Sequence, residues 1–570
     1  MKIHSLSRIR IISIALFLFA VLIVAKLYLV QVVDGHLYTD KADRQYVKPN
    51  ENLFDRGSIF FQTRSGDLVS AATLKTGYLV SLSPKLVTDP ETTFEKMDSV
   101  IPLEKESFLE KAGKKADPYE EVARKVSEAD ATKIESLKLP GVSVYKEKWR
   151  YYPGMTMAAN VLGFVGSDGK SVAGQYGLEK YYEAELNRND TKLNVNFFAE
   201  IFSDVSKTLV DDKQAEGDIV STIEPSVQLF LEKQLKSLQA EWNPDTSGAI
   251  IIDPKTGEIY AMAALPTFDP NNFNLEKNPR VFTNPLVDSV YEMGSIIKPL
   301  TMAAGIDSGT VTPTTTYDDK GFLELNGSKI SNFDFRGRGV VPMQEVLNQS
   351  LNTGAATVAL RMGKDLFSKY MLNYGLGEET GIDLPNEAAG LVENLKSPRD
   401  IEHATAAYGQ GIALTPIATV RALSSLGNGG TLPDPHVVKT LKYNVGLSKD
   451  LFTGGGEKQV LKKETSETIT KMLVEVVDKA LRHGTVKLKN WSVAAKTGTA
   501  QMANPAGKGY YADRYLHSFF GYFPAYNPKF LVFMYMVYPK GANYASETLT
   551  TSFFDITKFL INYYEIPPDR

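Results

Sequence analysis

Apolar positions follow one another almost without a break from Ile11 to Ala25, and after Lys26 they resume as Leu27-Tyr-Leu-Val-Gln-Val-Val33. This run is long enough to cross a bilayer, with Lys26 snorkelling from near one end. A short basic tail precedes it, with Lys2, Arg8 and Arg10, and no Ala-x-Ala cleavage site follows it. The pattern predicts an uncleaved transmembrane anchor over 11–33 behind a cytoplasmic tail over 1–10, rather than a removed signal peptide. Lys41, Arg44 and Lys48 lie just beyond the span but are diluted by Asp34, Asp40 and Asp43. The charge balance therefore favours a cytoplasmic N-terminus, with the bulk of the chain outside.

From 34 to 216 the texture is charged and mixed. Arg56-Gly-Ser-Ile-Phe-Phe and Gly77-Tyr-Leu-Val-Ser-Leu have the character of strands bounded by glycine turns. Phe94 to Leu137 carries Lys/Glu-rich helical patterns, Glu120-Glu-Val-Ala-Arg-Lys-Val among them, whose charges fit a solvated face. No catalytic constellation stands out here, so the region reads as an elongated mixed α/β pedestal or partner-binding module.

Near Gly217 the character changes. Ser226 to Leu238 has the spacing of an amphipathic helix. Ser247 to Asp253 and Glu258 to Ala264 are two strand patterns joined by the turn Pro254-Lys-Thr-Gly257. Apolar helical stretches follow at 301–306, 344–361 and 404–426. Trp491 to Gln501, His517 to Pro524 and Phe530 to Tyr538 read as three adjacent antiparallel strands. A closing helix places Leu549, Phe553, Ile556 and Leu560 on one face. Residues 217–570 are thus expected to be α+β, with helices on both sides of one antiparallel sheet, in a multidomain chain.

Composition removes several classes of function. With 63 basic against 67 acidic residues the net charge is −4, and no global field points to nucleic acid. Cysteine is absent, which excludes disulfides, zinc–thiolate sites and thiol catalysis. The six histidines are scattered with no i,i+3 or i,i+4 pair, so a metal site or a Ser-His-Asp triad has little to build on. No metal and no cofactor are expected.

Candidate chemistry centres on Tyr291-Glu-Met-Gly-Ser-Ile-Ile-Lys-Pro299. Ser295 and Lys298 are three apart, on one face of a helix whose opening turn is marked by Pro299. A lysine desolvated among Ile296, Ile297 and Leu300, or beside a second cation, loses its proton readily enough to activate a serine. Taken alone the motif is weak, since chance supplies roughly one or two Ser-x-x-Lys matches in such a chain. Ser167-Asp-Gly-Lys170 is one such decoy. Two further motifs follow in order: Ser350-Leu-Asn352, then Lys496-Thr-Gly-Thr-Ala500. Lys-Thr-Gly also occurs at 75–77 and 255–257, both before Ser295; only the third copy follows the other motifs. Singly, Ser350 and Asn352 are equally readable as helix caps, and Lys496 as an exposed strand charge.

The ordered set Ser-x-x-Lys, Ser-x-Asn, Lys-Thr-Gly is the signature of penicillin-binding proteins and serine β-lactamases. The chain as a whole resembles a class B penicillin-binding protein, a membrane-anchored peptidoglycan D,D-transpeptidase. Arg56-Gly-Ser-Ile, Arg150-Tyr-Tyr-Pro, Leu162-Gly-Phe-Val-Gly and Gly177-Leu-Glu resemble that family's pedestal, or dimerisation domain. Asp253-Pro-Lys-Thr-Gly-Glu-Ile-Tyr-Ala-Met, Tyr408-Gly-Gln-Gly-Ile-Ala-Leu-Thr-Pro and Ser518-Phe-Phe-Gly-Tyr-Phe-Pro resemble its catalytic domain. Tyr-Glu-x-Gly-Ser before the nucleophile is closer to the division branch than to the elongation branch. The family's usual Pro-Gly-Ser-Thr-Phe-Lys is here Met293-Gly-Ser-Ile-Ile-Lys, and its Asp-Arg-Asn-Gly is here Gln62-Thr-Arg-Ser-Gly66. Neither departure removes a catalytic group.

The resemblance implies Ser295 as nucleophile toward the carbonyl between two D-alanines of a stem peptide, and Lys298 as its base beside Lys496. It implies Ser350 as proton relay, Asn352 as orienter of Lys298 and of the substrate amide, and the N–H groups of Ser295 and Thr499 as oxyanion hole. Lys496, Thr497, Gly498 and Thr499 would hold the substrate, the threonines and lysine at its terminal carboxylate and the strand along its backbone. Implied partners are stem peptides, β-lactams as covalent inhibitors, the cytoplasmic membrane through one helix, a membrane glycan polymerase and division or elongation proteins. Two rivals are a hydrolase, either a D,D-carboxypeptidase or a β-lactamase with Glu387 at a suggestive spacing, and a catalytically silent scaffold.

Overall fold

The computed structural model describes residues 54–167, 172–188, 216–443, 448–452, 458–504, 507 and 509–570, with Phe19 and Lys26 besides. The anchor expected over 11–33 lies outside the described residues, those two positions excepted. No helix among the described residues is long and apolar enough to cross a membrane.

Two compact units divide the chain. The larger holds the described residues of Arg56–Thr73, Arg150–Asp190 and Asn194–Arg570, and Leu74–Trp149 make up the body of the smaller. Strand β1 (Ile59–Gln62) pairs antiparallel with the start of β2 (Leu68–Leu82), Ile59 opposite Ala72. In the smaller unit, the end of β2 is followed by α1 (Pro90–Asp98), α2 (Lys105–Gly113), β3 (Glu120–Val126), α3 (Glu128–Ser136) and β4 (Val142–Tyr151). Asp89 caps α1 by accepting from the Thr92 N–H, with Pro90 in the first turn where its missing N–H costs nothing. Val80, Leu82, Phe94, Met97, Phe108 and Ile134 form the core of this unit.

The helical reading of Glu120–Val126 is corrected here: the segment is a strand, antiparallel to β2 with Tyr78 opposite Val126 and Leu82 opposite Glu120. Helix propensities differ by only a few tenths of a kcal/mol per residue. Pairing along β2 and the burial of Val126 outweigh that preference.

In the larger unit, β5 (Gly217–Ser221) runs parallel to β1. Beneath this pairing Glu179 is fully buried between two guanidinium groups, Arg56 Nε at 2.6 Å and Arg150 Nε at 2.5 Å, with the Tyr152 hydroxyl at 3.1 Å. Burial alone would push the Glu179 carboxyl up; Arg150 and Arg56 outweigh it and hold the group below its ordinary value. Three of the four pedestal motifs, at Arg56, Arg150 and Gly177-Leu-Glu179, meet in this one cluster.

The main sheet is built from β6 (Thr246–Ile252), β7 (Ile259–Leu265), β10 (Ala494–Ala503), β11 (Tyr510–Phe523) and β12 (Phe530–Val537), in the order β10-β11-β12-β6-β7, antiparallel throughout. Strand alternation sorts its side chains into two cores. Ala249, Ile251, Phe519, Val532 and Met534 face α4 (Pro225–Trp242) and α11 (Thr550–Tyr563), which contribute Leu231, Leu235, Phe553 and Ile556. Ile250, Ile252, Phe520, Tyr522 and Phe533 face the other helical layer. That layer includes α5 (Lys298–Asp307), α6 (Met343–Asn348), α7 (Asn352–Met362), α8 (Asp400–Ala406), α9 (Pro416–Ser424) and α10 (Lys463–Glu475). Between α5 and α6 a small hairpin, β8 (Phe322–Leu325) with β9 (Ser328–Ser331), stands out from it. Helices on both faces of one antiparallel sheet is the arrangement expected of 217–570. The stretches 344–361 and 404–426, expected as continuous helical runs, are each broken, the first at Ser350 and the second between Ala406 and Pro416.

Candidate active site

Ser295 sits in a 3-10 turn, Gly294–Ile297, that runs directly into α5 with Lys298 as its first residue and Pro299 next. Ile296, Ile297 and Leu300 are fully buried, so Lys298 is carried inward with them and is 1 % exposed. Its ammonium donates to the Ser350 carbonyl at 2.5 Å and to Ser350 Oγ at 3.1 Å. Burial first, and the charge of Lys496 second, hold Lys298 well below the ordinary lysine range.

Lys496 lies on β10, on the face that carries Ala494 into the helical layer. It too is buried, donates to Ser350 Oγ at 3.1 Å and to the Thr497 carbonyl at 3.0 Å, and is pushed down to about 7 by burial. Both amines therefore converge on one hydroxyl, across sequence separations of 52 and 146 residues. Ser350 is presented by the break between α6 and α7, where it adopts φ 56°, a left-handed conformation that L residues avoid. The helical run cannot continue through it, which leaves its carbonyl free to accept from Lys298. Asn352 opens α7 and donates from Nδ2 to the Ser331 carbonyl at 2.9 Å, tying α7 to β9.

Strand β10 and the Ser295 turn approach so closely that only glycine fits at the contact. A Cβ on Gly498 would stand 2.3 Å from Ser518 Oγ and 2.8 Å from the Met293 carbonyl, while one on Gly294, at φ 65°, would stand 3.1 Å from the Thr499 carbonyl. Ser518 Oγ clamps the same junction by donating to the Met293 carbonyl at 2.9 Å. This brings the backbone of Thr499 beside that of Ser295. Thr497 and Thr499 are partly exposed, and Thr499 Oγ1 accepts from the Ala545 N–H at 3.1 Å.

One residue of the site drew no role from the sequence. Glu292, three before the nucleophile, accepts at Oε1 from the Gly411 N–H at 3.0 Å and the Tyr510 hydroxyl at 3.1 Å. With Tyr291 and Leu414 exchanging backbone hydrogen bonds at 2.9 Å and Gly294 donating to the Gly409 carbonyl at 3.1 Å, it laces the entry to Ser295 onto the Tyr408-Gly-Gln-Gly loop. Burial raises its carboxyl above the ordinary value. The signal was Tyr408-Gly-Gln-Gly-Ile itself, a glycine-rich loop with no task assigned to it.

The other sequence candidates fall away from this cluster. Lys75-Thr-Gly77 lies on β2, in the smaller unit. Lys255-Thr-Gly257 forms the β6–β7 turn, its Lys255 N–H bonded to Asp253 Oδ1 at 2.8 Å. Asp168, Gly169 and Lys170 of the decoy lie outside the described residues. Glu387 spends both carboxylate oxygens on a local turn, accepting from Thr380 N and Oγ1 at 2.7 and 2.6 Å and from Gly381 N at 2.9 Å.

Comparison with known proteins gives a consistent result. Residues 247–558 match the penicillin binding protein transpeptidase domain and residues 55–220 the penicillin-binding protein dimerisation domain. Stage V sporulation protein D of Bacillus subtilis is 32% identical, over 90% of this chain and 78% of the relative. Peptidoglycan D,D-transpeptidase FtsI of Escherichia coli is 26% identical, over 79% of this chain and 73% of the relative. In fold, the chain resembles the crystal structure of penicillin binding protein 3 from Mycobacterium tuberculosis complexed with aztreonam, with a TM-score of 0.68 and 23% identity over 91% of this chain and 98% of that one.

Proposed function

The chain belongs to the class B penicillin-binding proteins, as a peptidoglycan D,D-transpeptidase of cell-wall synthesis, and from that premise we propose the residue roles and setting that follow. Ser295 attacks the carbonyl between the two D-alanines of a stem peptide, and Lys298 takes its proton. A neutral lysine has two N–H bonds and one lone pair. With its donors turned to the carbonyl and hydroxyl of Ser350, the lone pair is left for the Ser295 hydroxyl. The tetrahedral oxyanion is received by the backbone N–H groups of Ser295 and Thr499, positions that need no reorganisation as charge develops.

Collapse of that intermediate breaks the C–N bond, and the leaving D-alanine takes a proton at nitrogen. Ser350 relays it: Oγ accepts from Lys298 and from Lys496, so its own O–H is donated to the amine while the proton that Lys298 took from Ser295 passes to Oγ and returns Lys298 to its neutral form. Lys496, in its cationic form, with Thr497 and Thr499 receives the terminal carboxylate, and Gly498 lets the donor's backbone lie against β10. Asn352 orients the substrate amide. An amine from a second stem peptide then attacks the ester and restores Ser295. β-Lactams enter the same path and stop at the acyl-enzyme. The convergence of two buried amines on the Ser350 hydroxyl carries this reading.

The finer setting is part of the proposal: an anchor over 11–33 in the cytoplasmic membrane, the catalytic unit outside it, and work at the division septum with a membrane glycan polymerase. A chain lacking residues 1–33 should then appear in the soluble fraction; its continued sedimentation with membranes would count against the anchor. For the chemistry, purified full-length chain should cross-link polymerised glycan, and Ser295→Ala should abolish both this and labelling by fluorescent penicillin. Cross-linking that survives in Ser295→Ala would reject the assignment.

A further inference from the structure

Two aromatic rings join segments that are hydrogen-bonded to Asn352 and to Thr499. Phe333 and Tyr544 stand edge to face, centroids 5.7 Å apart at 76°, while remaining 50% and 42% exposed. Each is fixed to a different wall of the cleft. Phe333 follows the Ser331 carbonyl, which accepts from Asn352 Nδ2 at 2.9 Å. Between them Asn332 is buried, donating to both oxygens of Asp319 at 3.1 and 3.0 Å and accepting from Thr353 N and Oγ1 at 3.3 and 3.1 Å. The backbone under Phe333 is thereby locked to the Ser-x-Asn side. Tyr544 precedes Ala545, whose N–H donates to Thr499 Oγ1 at 3.1 Å, and its own N–H donates to Glu547 Oε2 at 3.3 Å. Its backbone is thereby locked to the Lys-Thr-Gly side.

The contact thus bridges the segments tied to Asn352 and to Thr499, the two residues between which the proposed function lays the acyl donor. We propose that Phe333 and Tyr544 form an aromatic gate across the mouth of the Ser295 cleft, which an acyl donor parts before it reaches the serine. The inference rests on the transpeptidase reading of the site and adds a step of access to it. Because both backbones are anchored, the gate opens by side-chain rotation, and the step lost on opening is one edge-to-face contact.

The test is the second-order rate constant for acylation by benzylpenicillin and by the unsubstituted nucleus 6-aminopenicillanic acid, in full-length wild type, Phe333→Ala, Tyr544→Ala, the double variant and Phe333→Tyr. Thermal unfolding of each variant identifies any that fail to fold. Either alanine variant should be acylated faster by both compounds, by roughly 2- to 10-fold, the worth of one aromatic pair. The double variant should gain no more than a single one, because either change already breaks the contact. Phe333→Tyr should behave as wild type. Unchanged or slower acylation in the folded alanine variants, or gains that multiply in the double variant, would overturn the gate while leaving the transpeptidase standing. A wild-type chain that neither compound acylates would overturn the transpeptidase reading and the gate with it.

Discussion

Two lysines define the chemistry, and burial gives both a direction. Lys298 is held well below its ordinary value by burial and by Lys496, and Lys496 is pushed down to about 7 by burial. The free enzyme needs Lys298 neutral as base and Lys496 charged as carboxylate receptor, so kcat/KM for acylation should be bell-shaped, with a falling limb near pH 7. Lys496→Arg should remove that falling limb, because a guanidinium keeps its charge; a limb that persists there belongs to another group. Stability follows the same shifts. Between about 7 and the ordinary 10.5 the unfolded chain binds more protons at Lys496 than the native chain, so stability rises with pH through that window. Lys496→Met should therefore melt at a higher temperature than wild type at pH 6, with the gap narrowing at pH 9, while losing acylation. A variant less stable than wild type at pH 6 would contradict the burial penalty. Of these features the identities of both lysines were readable in order and spacing, and the placement of Lys298 among Ile296, Ile297 and Leu300 gave its direction. That Lys496 is itself buried was not readable, because strand alternation does not say which face meets a helix.

At the scale of elements, the site depends on how closely β10 approaches the Ser295 turn. Gly498→Ala brings a Cβ against Ser518 Oγ and the Met293 carbonyl, at 2.3 and 2.8 Å before relaxation. The carbonyl cannot rotate away, so the turn has to shift. Overpacking of this kind costs about 1–3 kcal/mol, and the displaced oxyanion donors should slow acylation by roughly 10-fold or more. Denaturant titration and penicillin labelling of the same sample check both; full activity would show that the junction tolerates the methyl. The strand pair at 247–264, the three strands at 491–538 and the closing helix were legible from periodicity, because their burial is two-sided or amphipathic. Two elements were not. Residues 344–361 keep a helical pattern straight through Ser350, and the partners found at the break are distant in sequence, Lys298 donating to the Ser350 carbonyl and Asn352 to that of Ser331, so local pattern does not show it. Glu120–Val126 has the composition of a helix, and its strand state is supplied by β2.

At the scale of the molecule, the Arg56–Glu179–Arg150 cluster joins segments 123 and 29 residues apart within the unit that holds the catalytic sheet, not in the smaller one. Its motifs were recognisable as a resemblance, but their convergence was not, since nothing in local pattern pairs residues at such separations. Removing the shared acid takes from Arg150 its carboxylate partner and leaves the buried Arg56 guanidinium to Glu183, at 2.7 Å. Glu179→Ala should cost about 3–5 kcal/mol in unfolding, with acylation per folded molecule unchanged; a loss of activity in the folded fraction would tie the cluster to the chemistry. The central claim is that separate regions of the chain assemble one serine activated by a buried neutral lysine. Its most direct measurement is the rate and position of penicillin acylation, by intact mass and peptide mapping, in wild type and Lys298→Met. One adduct on the peptide carrying Ser295, formed roughly 100- to 10,000-fold more slowly in the variant, is the expected result. An adduct on another residue, or acylation of Lys298→Met at the wild-type rate, would contradict it.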